Sequence, residues 1–321
     1  MRRGAAEPRL AVDPSLAPAF ARVAIGNRGL RLVPADPPEG VPTAAARDLI
    51  LESGAPVGLR SAALVNDGTL AFGLGALGGV AYSVGVPRVR VIHDRRPPGV
   101  DAVVGSALVN AGLMHSDGGW RCVVLPSLGD VAADLGPGPA AVSHDGRTLA
   151  VADVDVVIVA PLRGEGSQDE HPGPVDALAF DGDGTLWAAR GAAVGAPGVA
   201  AGEGPAVVAL AGAARAPRVA ALHEDGSVSV WQAGAAGPVS RLDAPVPGAG
   251  TIVLSADGER VELGVPVGDA PAAAVVRVAD GAMERRVEGA RVVAETPSRQ
   301  ALFVAGDWGS AWLIEPPESK E

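Results

Sequence analysis

The sequence predicts an all-β protein made of many short strands. Apolar runs of four to eight residues, rich in Val and Ala, alternate with Gly, Pro and Asp-Gly along the whole chain. Short apolar runs bounded by turn residues are typical of strands. A helical pattern is confined to residues 43–51, which predict two helical turns. We expect residues 1–321 to form a single domain, since closed all-β folds of this length are common as one unit.

Asp-Gly pairs divide the chain at blade-sized intervals. Asp-Gly favours a tight hairpin turn, because Gly adopts positive φ and the Asp side chain caps its own turn. The first six of the pairs are 28 to 50 residues apart, a spacing centred on the roughly 40 residues of one propeller blade. The sequence therefore predicts a β-propeller of seven or eight four-stranded blades. The Asp residues of these pairs are Asp67, Asp117, Asp145, Asp183, Asp225, Asp257 and Asp280.

The punctuation separates eight candidate blades, of which the first and the fifth are irregular, so seven and eight blades both remain open. The last candidate shows only three strands. We expect its fourth strand to come from residues 9–12 (RLAV), because closing the ring in this way removes open sheet edges. The candidate blades are 18–57, 58–96, 99–136, 137–173, 174–204, 205–246, 248–288 and 289–317.

Composition and charge exclude several classes of partner. The net charge of −11 and the pI of about 5.0 argue against binding to nucleic acids or to anionic membranes, which require a positive surface. A single cysteine, Cys122, excludes a disulfide within the chain and a multi-cysteine metal site. No 18-residue apolar segment is present and no apolar run follows Met1, so we expect a cytoplasmic protein.

One segment resembles a WD40 repeat. Residues 225–232 (DGSVSVWQ) form an Asp-Gly turn and a strand that ends in Trp, and the turns 143–146 (SHDG) and 255–258 (SADG) resemble the turn after the innermost strand of that family. The family's Gly-His dipeptide is absent. The resemblance therefore implies only part of its His–Ser–Asp–Trp network, retained by Asp225 and Trp231. It also implies a rigid ring that binds other proteins on its faces.

A second segment resembles a different class of propeller. Residues 180–187 (FDGDGTLW) are similar to the blade motif of lactonase-type propellers, which implies a divalent metal held in the central channel by carboxylates and Asn side chains from separate blades. The alternative function is thus a metal-dependent hydrolase of the lactonase type. The motif occurs once, and its Asp-Gly sequence is also typical of a plain turn. The carboxylates considered for such a site are Glu52, Asp67, Asp153 and Asp257.

Other catalytic and metal-binding signatures are missing. The sequence has no HExxH and no GxSxG. His144 is expected at an inner-strand turn, and His115 and His223 at the following turns on the opposite face, which argues against a histidine metal site. We therefore predict no catalytic residue, no metal ligand and no cofactor. Whether the chain is an enzyme is left open by the lactonase alternative, although a non-enzymatic protein is favoured.

Two tryptophans are predicted as binding anchors. Trp308, with Asp307 in the sequence GDWG, and Trp120, after a Gly-Gly pair, sit at predicted turns. A tryptophan held on a rigid turn gives a large contact area at little entropic cost. The alternative is that each ring folds back onto its own blade. The predicted function is a non-enzymatic scaffold that presents the faces of the ring to a protein partner or a larger assembly.

Overall fold

The computed structural model describes side chains mainly within residues 102–106, 112–115, 119–122, 135–162, 167–265 and 272–286, and gives only the strand backbone elsewhere. All the described elements are β-strands. No helix among the described residues is long and apolar enough to cross a membrane.

The first part of the chain forms one small ladder and three regular sheets. Strand β1 (Ala21–Gly26) pairs with β2 (Gly29–Pro34), and β3 (Ala46–Leu49) follows them. The three sheets are, in order, β4 (Ser61–Val65), β5 (Thr69–Gly73), β6 (Gly79–Ser83) and β7 (Arg88–Arg90); β8 (Ala102–Gly105), β9 (Ala111–Ser116), β10 (Gly119–Val124) and β11 (Gly129–Ala132); β12 (Ala140–Val142), β13 (Thr148–Asp153), β14 (Val156–Pro161) and β15 (Asp169–Pro172).

The second part of the chain continues the series with four further sheets. Three strands form the first of them: β16 (Ala177–Phe180), β17 (Leu186–Arg190) and β18 (Ala193–Gly195). Two four-stranded sheets follow: β19 (Val207–Gly212), β20 (Arg218–His223), β21 (Val228–Gln232) and β22 (Ser240–Leu242); β23 (Thr251–Leu254), β24 (Arg260–Gly264), β25 (Ala272–Arg277) and β26 (Met283–Glu288). The last sheet combines β27 (Ala290–Glu295), β28 (Leu302–Gly306) and β29 (Ser310–Ile314) with β3.

The sheets are arranged in a ring. The first strands of the seven described sheets contact one another in the cyclic order β4, β8, β12, β16, β19, β23 and β27, and β27 contacts β4 again. Neighbouring strands within every sheet are antiparallel. The predicted all-β propeller fold is thus confirmed. Residues 18–57 do not form one of these sheets, because their strands divide between the β1–β2 ladder and the sheet of β29.

The last sheet is completed from the N-terminal part of the chain by β3. Ala46 lies opposite Ile314 and Leu49 opposite Ala311. The other edge of β29 pairs with β28. Among the described residues the strand that closes the last sheet is therefore β3. Residues 9–12 lie outside the described residues, and their pairing with this sheet stays a prediction. The prediction of helical turns is wrong over residues 46–49, since pairing with the open edge of β29 outweighs the favourable helix propensity of Ala, Arg and Leu in this stretch.

Both sides of the central strands are buried. Along β20, Val219 and Ala221 pack toward the β16–β18 sheet, and Ala220 and Leu222 toward the β23–β26 sheet. All four are 0% exposed. A strand buried on both sides needs apolar residues at every position, which accounts for the Val- and Ala-rich runs and the mean hydropathy of +0.25.

Small residues allow neighbouring sheets to approach closely. A Cβ atom at Gly212, the last residue of β19, would overlap the backbone carbonyl of Phe180, the last residue of β16. Only glycine fits there, so the ends of these two inner strands are fixed against each other.

Deletion variants test the closing strand. We expect a chain lacking residues 1–40 to keep its thermal unfolding midpoint within a few degrees of the full chain. A chain lacking residues 1–52 also loses β3, exposes the edge of β29, and is expected to unfold at a clearly lower temperature and to aggregate. Circular dichroism melting measures both. An equally large loss in the 1–40 deletion would show that an earlier segment closes the ring.

Candidate functional site

The antiparallel order of the strands divides the loops between two faces. The turns that join the first strand to the second lie on one face, together with those that join the third to the fourth. We call this the bonded face. The turns that join the second strand to the third lie on the opposite face, together with the connections between sheets. We call this the acidic face, for the carboxylates described below.

Hydrogen bonds link neighbouring sheets along the bonded face. They run from the β8–β11 sheet to the β23–β26 sheet without skipping one. The bonds are Ser106 Oγ to His144 O at 2.9 Å, His144 Nε2 to Phe180 O at 3.0 Å, Gly182 N to Ala216 O at 3.0 Å, and Arg215 N to Ala256 O at 2.8 Å.

The Asp-Gly turns among the described residues form as predicted. Gly146 and Gly258 adopt φ values of 65° and 76°. The Asp145 carboxylate accepts the Ser143 hydroxyl at 2.7 Å and the Arg147 amide at 3.0 Å. Burial alone would raise the pKa of Asp145, but these hydrogen bonds outweigh burial and hold the pKa below its usual value. The carboxylates therefore serve the turns.

Asp181 is the most enclosed of the turn carboxylates and is 0% exposed. Its Oδ1 accepts the backbone amides of Asp183 at 3.0 Å and Thr185 at 2.9 Å. Its Oδ2 accepts the indole N–H of Trp187 at 2.9 Å. Both oxygens are thus engaged with the protein, and the FDGDGTLW segment that resembles a lactonase motif is a structural turn.

A buried relay joins the middle strands of the β19–β22 sheet. His223 Nδ1 lies 3.0 Å from Pro205 O, so it carries the proton, and Nε2 accepts the Ser229 hydroxyl at 2.8 Å. The indole of Trp231 donates to the same hydroxyl at 3.0 Å. A serine bonded to an oriented histidine is the arrangement of a nucleophile and its base. Ser229 is only 3% exposed, however, so the relay is enclosed and its role is structural.

The predicted pairing of Asp225 with Trp231 is wrong. Asp225 Oδ1 accepts the amide of Ser227 at 2.9 Å and its hydroxyl at 2.6 Å, and so caps an exposed turn. Sequence reasoning missed His223 and Ser229, because the histidine does not follow a glycine as in the WD40 pattern. The alternating Ser229 and Trp231 on β21, opposite a histidine at the end of β20, were the available signal.

Trp120 does not present its ring to solvent. It is 6% exposed and packs among the apolar residues between the β8–β11 and β12–β15 sheets. Its Nε1 donates to Gly138 O at 2.7 Å, and its ring meets that of His115 edge-on at 5.1 Å. The prediction of a binding anchor at Trp120 is therefore wrong, because the indole is used to join two sheets. Trp308 and Asp307 lie outside the described residues.

The other candidate ligands are dispersed. His115 and His223 end second strands toward the acidic face, whereas His144 lies on the bonded face, as predicted. Asp153 and Asp257 also lie on opposite faces, and Glu52 and Asp67 are outside the described residues. Among the residues that the structure describes, no three His, Cys, Asp or Glu side chains come together in a way that would hold a metal ion.

All the ion pairs between described residues lie on the bonded face. Each joins an arginine to a carboxylate on or beside a turn. They are Arg147–Asp145 at 3.6 Å, Arg218–Glu259 at 2.9 Å, Arg260–Asp257 at 3.8 Å, Arg277–Asp280 at 3.1 Å and Arg277–Glu284 at 2.9 Å.

The acidic face carries exposed carboxylates that make no ion pair with any described residue. Hydrogen bonds join several of their loops across three sheets, β12–β15, β16–β18 and β19–β22: Gly173 N donates to Asp155 O, Gly191 N to Asp176 Oδ2, and Glu224 N to Ala206 O. Val154, which lies between the carboxylates of Asp153 and Asp155 in the sequence, is 77% exposed. Arg190 and Arg241 are two of the described arginines on or near this face. The carboxylates are Asp153, Asp155, Asp176, Glu203, Glu224, Asp225 and Asp243.

Comparison with solved structures agrees with the ring. The chain is similar to the β-propeller domain of Cps50 (Swd1) from Myceliophteria thermophila, with a TM-score of 0.63 and 14% identity, over 84% of this chain and 99% of that one. No family model and no curated protein sequence matches the chain. At this identity the likeness shows the fold alone. The predicted resemblance to WD40-like propellers is confirmed at the level of the β-propeller fold.

The role of Asp181 can be tested by two substitutions in one turn. Asp181→Ala leaves two backbone amides and the Trp187 indole without their acceptor, so we expect a loss of roughly 2–4 kcal/mol in the free energy of unfolding. Asp183→Ala, at the exposed neighbouring position, is expected to change it by less than about 0.5 kcal/mol. Urea unfolding measures both. Equal effects would contradict a structural role specific to Asp181.

The Ser229 relay can be tested for both structure and chemistry. Ser229→Ala removes the oxygen shared by His223 and Trp231, and we expect a loss of roughly 1–3 kcal/mol in the free energy of unfolding. A fluorophosphonate probe, which labels activated serines, is expected to leave Ser229 unmodified in the folded protein. Labelling of Ser229 detected by mass spectrometry would overturn the structural assignment.

Proposed function

We propose that the protein is a non-enzymatic interaction scaffold whose acidic face binds a partner protein through a basic segment. The propeller fold supports the general role, because a rigid ring presents loops at fixed positions on its two faces. The observation that carries the choice of face is the distribution of ion pairs. The five ion pairs between described residues all lie on the bonded face, whereas the exposed carboxylates named for the acidic face form none with a described residue.

Exposed carboxylates that form no ion pair with a described residue favour a basic partner. Charges exposed at an interface act mainly on the rate of association and on specificity, since they attract an oppositely charged partner and repel a like one. Exposed Val154, between Asp153 and Asp155, adds an apolar contact within the charged region. The proposed partner therefore carries lysines or arginines around a small apolar residue.

Trp308 and Asp307, which lie outside the described residues, remain proposed binding residues. The strands that flank them in sequence, β28 and β29, are the second and third strands of their sheet. The described connections between second and third strands carry Asp153, Asp155, Glu224 and Asp225 on the acidic face. We thus expect Trp308→Ala to weaken partner binding along with the carboxylate substitutions below.

The remaining expectations about partners and location are also part of the proposal. The net charge of −11 favours neither nucleic acids nor anionic membranes as partners, and we propose a cytoplasmic location. No contact among the described residues favours the lactonase-type alternative, which implies a channel metal, and a divalent-metal titration followed by melting remains its direct test.

Charge reversal on each face tests the proposal. The variant Asp155→Lys, Glu224→Lys, Asp243→Lys changes three exposed carboxylates of the acidic face for which no side-chain hydrogen bond or ion pair is seen. Fluorescence anisotropy would compare basic, neutral and acidic peptides of equal length. We expect the wild type to bind the basic peptides, with an affinity that falls as salt is raised, and the variant to lose at least about tenfold in affinity.

A matched control is available on the bonded face. Asp169, Glu170 and Asp183 are exposed carboxylates of that face outside its ion pairs, and their triple change to lysine alters the net charge by the same amount. We expect this control to lose much less affinity than the acidic-face variant. Equal losses of affinity in the two variants would show that affinity depends on net charge alone, and would contradict a face-specific site.

A further inference from the structure

His144 occupies an unusual position between three neighbouring sheets. It lies in the turn between β12 and β13. Its carbonyl accepts the hydroxyl of Ser106 from the β8–β11 sheet, and its Nε2 lies 3.0 Å from the carbonyl of Phe180, at the end of β16. Gly182, two residues after Phe180, continues the chain of bonds by donating to Ala216 of the next sheet. The imidazole is thus part of the contact between the β12–β15 and β16–β18 sheets.

The hydrogen-bond pattern assigns the proton on the neutral ring. A backbone carbonyl only accepts, so Nε2 must donate to Phe180 O and Nδ1 must hold the lone pair. Nδ1 is buried and has no hydrogen-bond partner among the described residues. A lone pair at that position is tolerated at small cost. An added proton would place a positive charge in the same enclosed space.

The neighbouring charged groups are committed elsewhere. Asp145, on the same turn, accepts the Ser143 hydroxyl and lies 3.6 Å from the exposed Arg147 side chain. Asp181, on the β16–β17 turn, is engaged through both oxygens. The other described charges on the surrounding loops are Asp183, on that same turn, and Arg215, on the β19–β20 loop.

Burial governs the proton affinity of the His144 imidazole. Burial lowers the pKa of His144 below 6.5, although the carbonyls of Phe180 and Gly212 and the carboxylates of Asp181 and Asp145 act to raise it. A histidine freed into water is therefore the better base. As the pH falls below about 6.5, any form of the protein with His144 released takes up the proton first.

We propose that the contact between the β12–β15 and β16–β18 sheets is an acid-sensitive joint of the ring, at which uptake of a proton drives the His144 side chain into water and releases Phe180. The joint is closed at neutral pH, where the imidazole of His144 is uncharged. Its stability is lost progressively as the pH falls below about 6.5. The other described contacts between sheets on this face rest on backbone groups, on Ser106 and Ser240, and on Arg218 with its partner Glu259, whose ordinary pKa values lie outside this range.

Hydrogen exchange measured by mass spectrometry tests the joint. Protection factors, which remove the direct effect of pH on exchange, would be compared at pH 7.5 and pH 5.5 for peptides covering 143–149 and 178–187. We expect the wild type to lose protection in these peptides at pH 5.5 and to keep it in those covering 251–264. We expect His144→Gln, which retains an N–H donor but does not titrate, to keep protection at both pH values.

The controls separate this effect from general acid sensitivity. His171→Gln removes a histidine on β15 that lies outside the joint, and it is expected to lose protection like the wild type. An equal loss in His144→Gln and wild type, or a loss spread evenly over all sheets, would overturn the proposal. If His144→Gln fails to fold, an NMR titration of the wild-type imidazole decides: a midpoint below 6.5 supports the joint, and one at or above 6.5 overturns it.

Discussion

The structure depends on each sheet being packed against a neighbour on both sides. A sheet in such a ring has no solvent-facing side along its inner strands, so Val219, Ala220, Ala221 and Leu222 are all fully buried in succession. The stability of every sheet is therefore tied to that of the next one. Small residues make this packing close, and at Gly212 the neighbouring backbone leaves no room for a side chain.

On the bonded face, hydrogen bonds between turns fix neighbouring sheets against each other in addition to this packing. Its turns hold themselves together through Asp and Ser side chains, and at the same time they reach the adjacent sheet through backbone groups and His144. These structural hydrogen bonds engage polar side chains that the sequence alone offers as candidate metal ligands or catalytic groups. Asp181 is the clearest case, since both of its oxygens are occupied and it is fully buried. On the opposite face the exposed carboxylates form no ion pair with a described residue, which is the physical basis of the proposed binding role.

The repeat and its boundaries could be predicted from the sequence because they arise from local chemistry. Asp-Gly turns and buried strands leave a pattern along the chain, and the strands of the seven sheets fall within the predicted segments from residue 58 onward. The closing strand could not be predicted from the sequence. Residues 46–49 have no strand-like pattern of their own and take that form because β29 offers an open edge. Similarly, the direction in which Trp120 points depends on Gly138 in the next sheet, and the His223 relay depends on two strands that meet only in the fold.

The central claim is that a partner engages the acidic face. The most direct measurement is carboxyl-to-amine cross-linking of the protein with its natural partner in a complex purified from the source cells, followed by mass spectrometry. The account predicts cross-links from Glu203, Glu224 and Asp243 to lysines of the partner. Cross-links confined to Asp169, Glu170 and Asp183 would place the partner on the bonded face and contradict the account.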